Sequence, residues 1–134
     1  PVSRVFADTS GLLALLVPGD ECHVRAARAF SRLREREAGL ITSSYVLLET
    51  YSLLGRRLGP EAVHRFREGF APLLDVVWVD GNLHEAGLDL LLASRRRGLS
   101  LTDAVSIVLI GREGCEEVFA SDPHLKVEGA KLLV

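Results

Sequence analysis

A chain of 134 residues with 48% hydrophobic and 25% charged side chains can bury one core unaided, which excludes both a disordered segment and a disulfide-stapled miniprotein. Its net charge of −2 excludes a uniformly basic nucleic-acid binder. No run approaches the ~20 apolar residues of a membrane helix, and Asp8 breaks the opening apolar run too early for a secretory leader, so a cytoplasmic protein with no membrane part is expected.

In chain order, Val2–Ala7 reads as a strand, and Thr9 to Val17 as a short helix stopped by Pro18-Gly19. Asp20 is placed to cap a helix through about Glu37, ended by Gly39, and Leu40–Thr42 is a candidate strand. Ser43 or Ser44 caps the next helix, which Gly59-Pro60 closes after Leu58. A helix over Glu61–Phe70 follows, then a β-branched and aromatic strand at Asp75–Val79. Leucines at helical spacing predict a helix over Leu83–Arg97, stopped by Gly98. Leu101–Ile110 is an apolar run of helical length, and Val118–Ala120 and Lys131–Val134 are two last strands.

With no repeat, linker or low-complexity segment, residues 1–134 form one domain. Strands alternating with helices predict an α/β fold, a three-layer α/β/α sandwich around a mostly parallel sheet. Ligands of such sheets bind beyond the carboxyl ends of the strands, near the switch in strand order. Functional groups are therefore expected just after strands.

Four carboxylates stand out against that expectation. Asp8 follows the first strand, Asp122 follows the strand at Val118–Ala120, Asp103 opens the most apolar helix, and Glu49 lies inside an apolar one. Each has a local reading beside a functional one. Asp8 suits a helix N-cap, Asp103 completes a capping box opened by Ser100, and Asp122 precedes Pro123 as a cap would. Glu49, among Val46, Leu47, Leu48, Tyr51, Leu53 and Leu54, is expected to be buried, and so either paired with Arg56 or bound to a cation. Should the four converge, each pair at ~4 Å would repel by ~4 kcal/mol at an effective dielectric near 20. Either their pKa values rise or a divalent cation neutralises them. Oxygen-only ligands favour Mg²⁺ or Mn²⁺, and carboxylate-held ions of this kind suit phosphoryl chemistry.

Other polar features carry less. Cys22 and Cys115 match no metal or redox spacing and read as reduced thiols. Of the 16 basic residues 14 are arginine, clustered at Arg32, Arg34 and Arg36, at Arg56 and Arg57, and at Arg95, Arg96 and Arg97. These are either solvated faces or local phosphate-binding patches. His23, His64, His84 and His124 read as surface or capping residues, with His124 the one near a candidate acid.

The motifs closely resemble the PIN-domain family, in order and over nearly the whole chain. Val5-Phe6-Ala7-Asp8-Thr9-Ser10 is similar to its strand-then-Asp motif, and Thr42-Ser43-Ser44-Tyr45-Val46-Leu47-Leu48-Glu49-Thr50 to the helix bearing its glutamate. Leu99-Ser100-Leu101-Thr102-Asp103-Ala104-Val105-Ser106 resembles its third acidic motif, and Val118-Phe119-Ala120-Ser121-Asp122-Pro123-His124-Leu125 its fourth. The resemblance implies a PIN-like fold with Asp8, Glu49 and Asp103 as core metal ligands, Asp122 contributing directly or through water, and Thr9 or Ser10 orienting the site. Many members carry threonine two residues before the fourth acid; this chain has Ala120 there and a hydroxyl next door at Ser121. It further implies a Mg²⁺- or Mn²⁺-dependent endoribonuclease that leaves 5′-phosphate and 3′-hydroxyl ends. For small members it implies the toxin of a toxin–antitoxin pair, often a homodimer inhibited by an antitoxin protein.

Two alternatives stand beside this reading. A receiver-like signalling module would place Asp8 and Asp80 after the first and third strands, but no second acid adjoins Asp8 and Lys126 follows no convincing strand. An inactive PIN-like interaction module is disfavoured by retention of all four acids.

Overall fold

Five short strands, β1 (Arg4–Ala7), β2 (Gly39–Ser43), β3 (Leu74–Val77), β4 (Glu117–Phe119) and β5 (Lys131–Leu132), form one sheet in the order β3-β2-β1-β4-β5, parallel throughout. They are seen in a computed structural model that describes residues 3–134, so the expected strand residue Val2 lies outside the described residues. The helices are α1 (Thr9–Leu16), α2 (His23–Glu35), α3 (Ser44–Leu58), α4 (Pro60–Arg65), α5 (Gly81–Ala93) and α6 (Leu101–Arg112).

The chain runs from β1 outward through β2 to β3, then returns to place β4 on the other side of β1. Right-handed crossovers put helices made on the outward leg on one face and those made on the return on the other. Accordingly α1 packs on α2 and α3, α3 on α4, and α5 on α6. The layers are those expected. Burial explains why the strands read as apolar runs rather than alternating ones: Val5, Phe6, Ala7, Val118 and Phe119 have no exposed surface. Cys22 and Cys115 are buried free thiols, and burial pushes the Cys115 thiol up, which keeps it in the inert form.

Most strand ends fall within two residues of the expectation, and three helix boundaries differ for a physical reason. Asp20 does not cap α2; its Oδ1 accepts the Cys22 amide at 2.8 Å in the preceding turn, and the helix starts at His23. The helix after Pro60 widens into a π-helical turn over Phe66–Phe70, whose end rings stack at 5.6 Å. Most consequential, α5 stops at Ala93, leaving Arg95, Arg96 and Arg97 in a loop. There the Ser94 hydroxyl accepts the Arg96 amide at 3.2 Å, and Gly98, at φ 78°, turns the chain into α6.

Strand order reverses at the β1–β4 boundary, where Ala7 pairs with Phe119. This is the switch point at which a parallel sheet opens a crevice beyond its carboxyl ends. Asp8 follows β1 at that boundary, and Asp122 lies three residues past β4.

Candidate active site

β1 delivers Asp8 into this crevice at 3% exposure, with its amide donating to the Phe119 carbonyl at 3.1 Å. The Asp8 carboxylate caps α1, accepting the Ser10 amide at 3.1 Å and the Ser10 hydroxyl at 2.7 Å. That hydroxyl in turn accepts the amides of Ser121 at 3.0 Å and Asp122 at 3.2 Å, so one side chain joins the turns after β1 and β4. The two turns meet because Gly11 has no side chain: a Cβ there would lie 2.7 Å from the Phe119 carbonyl carbon.

On the β2 side, Ser43 caps α3 through the Val46 amide at 3.2 Å, and Glu49 projects from the second turn. Its helix is not buried all round, as the run of apolar neighbours suggested, since Leu48 is 68% exposed and Glu49 half-buried. Nor does Arg56 pair with it: among the described residues Arg56 makes no ion pair. The Thr9 hydroxyl donates to the Val46 carbonyl of the same helix at 3.4 Å and accepts from the Thr50 hydroxyl at 3.3 Å.

Asp103 forms the expected capping box with Ser100 at the start of α6: each accepts the other's amide, at 3.2 and 3.0 Å. Asp122 caps a short 3₁₀ turn, accepting both the amide and Nδ1 of His124 at 2.9 Å. Asp103, Asp122 and His124 bring ligand-type atoms within 4.8 Å of one another. The local readings of Asp8, Asp103 and Asp122 therefore all hold, and they hold at one place. Capping and clustering coexist because caps sit at helix N-termini, and these N-termini face the crevice.

Electrostatics ties the acids together. Burial raises the Asp8 carboxyl to about 6 against the hydrogen bonds from Ser10, and the charges of Asp103 and Glu49 push the same way. Glu49 is raised by burial, opposed by the nearby Thr9 hydroxyl, and further raised by the charges of Asp103 and Asp122. The imidazole of His124 is raised by the Arg97 carbonyl and then by the Asp122 carboxylate. Four carboxylates thus share one field, and Asp8 has no cationic partner among the described residues. This donor set fits a hard divalent cation, which binds oxygen and relieves such repulsion. His124 is a poorer ligand than its position implies, because its Nδ1 faces Asp122 and its Nε2 lies 3.0 Å from the Arg97 carbonyl.

Of the remaining candidates, Ser121 enters the site through its backbone amide. Asp80 is the exposed N-cap of α5, accepting the Leu83 amide at 2.8 Å, and it follows the edge strand β3 rather than the strands at the switch point. Sequence reasoning missed the contact of the arginine loop with the Asp122–His124 turn, where Arg96 donates to the His124 carbonyl at 2.8 Å. No local pattern signals it, since the partners are 28 residues apart.

Comparison with known proteins agrees with this fold. The PIN-domain family model matches residues 5–128. The 23S rRNA-specific endonuclease VapC20, from two strains of Mycobacterium tuberculosis, is 30% identical over 126 residues, 93% of this chain and 94% of the relative. The crystal structure of Mycobacterium tuberculosis VapC20, described as a Sarcin-Ricin loop cleaving toxin, superposes with a TM-score of 0.77, covering 89% of this chain and 90% of that one at 30% identity. Two more distant structures share the fold. A Pyrobaculum aerophilum protein has a TM-score of 0.65 and 24% identity over 98% of this chain and 91% of its own. DNA-bound VapBC from Salmonella typhimurium has a TM-score of 0.66 and 18% identity over 98% and 97%. Matched along nearly its whole length by family model, relative and fold, the chain belongs to the PIN-domain family.

Proposed function

We propose that this chain is a divalent-metal-dependent endoribonuclease that hydrolyses RNA phosphodiester bonds, and that it is the toxin of a VapBC-type toxin–antitoxin pair. The observation that carries the reading is the gathering of acids at the switch point: Asp8 and the Asp122 turn share the Ser10 hydroxyl, Asp103 and Asp122 bring ligand-type atoms within 4.8 Å, and Asp8 is buried without a cation partner among the described residues. Kinship with an rRNA-specific endonuclease supports RNA as the substrate class.

In this reading Asp8, Glu49 and Asp103 hold Mg²⁺ or Mn²⁺, with Asp122 the fourth acid. The ion supplies Lewis-acid polarisation of the phosphodiester and a water of lowered pKa. Ser10 holds Asp8 and the Asp122 turn in register, Thr9 ties α1 to the helix that carries Glu49, and the Ser121 amide completes the Ser10 anchor. The Ser100 amide holds the Asp103 carboxylate from the side of α6. Asp8, Asp103 and Asp122 are thus each held by neighbouring donors, the kind of support a metal-ligating carboxylate needs. Beside Glu49 opens a cavity of about 390 Å³ lined by Tyr45, Leu48, Leu101 and Thr102, an apolar surface next to that acid. A cytoplasmic location, a homodimeric state and inhibition by an antitoxin protein belong to the same proposal.

The test is incubation of the purified protein with mixed RNA in Mn²⁺ or Mg²⁺, with and without EDTA. Cleavage that EDTA abolishes, and that Asp8→Asn and Asp103→Asn both lack, is the expected result. RNA left intact by the parent chain under every metal condition would refute the assignment.

A further inference from the structure

A crevice lined by four carboxylates repels the polyanion it is proposed to cut, so cations must receive the strand close to the acids. Of the arginine clusters, Arg95–Arg97 is the one with contacts to the acid turn. Its loop and the Asp122–His124 turn are joined twice: the Arg96 guanidinium donates to the His124 carbonyl at 2.8 Å, and His124 Nε2 lies 3.0 Å from the Arg97 carbonyl. The other imidazole nitrogen, Nδ1, sits 2.9 Å from the Asp122 carboxylate. One ring therefore spans acid and loop. Gly98 allows the approach, because a Cβ there would stand 3.3 Å from His124 Nε2 at a backbone angle of φ 78°. Arg95 and Arg97 are exposed, and among the described residues neither pairs with a carboxylate, whereas Arg36 is paired with Glu117.

We propose that the Arg95–Arg97 loop is the clamp for the RNA backbone at this site, with Arg95 and Arg97 taking phosphates and His124 the positioning residue that fixes the loop against Asp122. The proposal rests on the nuclease reading and names how its substrate is held. Planar guanidinium forks match phosphate oxygens two at a time, and backbone anchoring at Arg96 and Arg97 lowers the ordering cost that a free arginine arm would carry. Arg96, already engaged with the His124 carbonyl, acts as a strut.

The experiment measures affinity for an unstructured oligoribonucleotide across a salt series, using Asp103→Asn to prevent cleavage. Adding Arg95→Ala and Arg97→Ala should weaken binding roughly tenfold or more at low salt, and should flatten the log–log salt slope by about 1.4, as for two phosphate contacts on a single strand. Arg95→Lys with Arg97→Lys should keep the slope, since charge sets it. Gly98→Ala, which retains every charge but displaces the loop, should weaken binding with little change of slope. In the cleaving chain the double alanine variant should raise KM more than it lowers kcat. Unchanged affinity and slope in the double alanine variant, while the parent still cuts RNA, would overturn the clamp and leave the nuclease standing. A parent that binds RNA through these arginines but never cuts it would do the reverse. Preference for a polyglutamate peptide over RNA would assign the loop to an acidic protein partner and overturn the clamp.

Discussion

The Ser10 hydroxyl donates to the Asp8 carboxylate at 2.7 Å while accepting the amides of Ser121 and Asp122, at 3.0 and 3.2 Å. One donor and two lone pairs are thereby all used, which a hydroxyl can do and a methyl cannot. Ser10→Ala should destabilise the fold by about 1–3 kcal/mol, because two part-buried amides lose their acceptor. It should also move the Asp8 carboxyl above about 6, since the Ser10 hydroxyl is the stronger of the two hydrogen bonds that hold it down and only the backbone amide would remain. Urea unfolding reads the first effect and carbon-detected NMR titration the second. An Asp8 titration unmoved by Ser10→Ala would remove Ser10 from the site.

Gly11 tests whether the close approach of α1 to the end of β4 assembles that anchor. A Cβ at this position meets the Phe119 backbone rather than a side chain that could rotate away. Gly11→Ala would ordinarily favour a helix, yet here it should cost about 1–3 kcal/mol through overpacking. Activity should fall further than stability, because the Ser10 bonds to the Asp122 turn stretch as α1 is pushed off. A variant of unchanged melting temperature would show that the two elements separate freely.

The parts of the fold written in local chemistry were legible. Ser43 caps α3, Gly59-Pro60 ends it, and Ser100 with Asp103 forms the capping box that their spacing announced. The end of α5 was not, because leucines continue in helical register to Leu92 and arginine is a good helix former. What ends the helix at Ala93 is partly tertiary: Arg96 and Arg97 bond to a turn that arrives 28 and 27 residues later. At the site, Asp8 and Asp122 could be read as following strands, whereas the argument for Glu49 rested on a helix buried all round, and Leu48 on that helix is exposed. Its place in the cluster followed from motif order. The bond network of His124 lay beyond reach, since a lone histidine advertises no partner.

Exposed apolar side chains bear on the proposed homodimer. Trp78 is 74% exposed and Leu48 68%, and the two belong to segments tied together by the Val79 amide, which donates to the Ser44 hydroxyl at 2.9 Å. Exposed aromatic and leucine side chains on adjoining segments fit the apolar centre of an interface. Sedimentation at micromolar concentration should give twice the chain mass of 14.6 kDa, and Trp78→Arg with Leu48→Glu should return the monomer. Because Trp78 is the sole tryptophan, its emission should shift to the red on dilution. A monomeric parent at high concentration would exclude this surface as a dimer contact.

The Asp8 carboxyl makes the metal question answerable without any substrate. Its pKa rises from the ordinary 3.8 to about 6 in the fold. Between those values the native state holds a proton that the unfolded chain has released, so metal-free stability is greatest below about pH 4 with respect to this group and declines as pH rises towards 6. At roughly 1.4 kcal/mol for each tenfold change in proton affinity, the charged carboxylate costs the metal-free fold about 3 kcal/mol at neutral pH. Asp8→Asn keeps an oxygen for the Ser10 bonds and removes the charge, so it should raise metal-free stability at pH 7 by about 2–3 kcal/mol and gain nothing at pH 4. Adding Mn²⁺ should reverse the order: at a hundredfold excess over its dissociation constant it should stabilise the parent by about 2.7 kcal/mol and the variant far less. Urea titrations of both chains at two pH values, with and without Mn²⁺, resolve all of these differences. A metal-free variant no more stable than the parent at pH 7 would mean that Asp8 is content with its charge, and the cluster would then have no need of a cation.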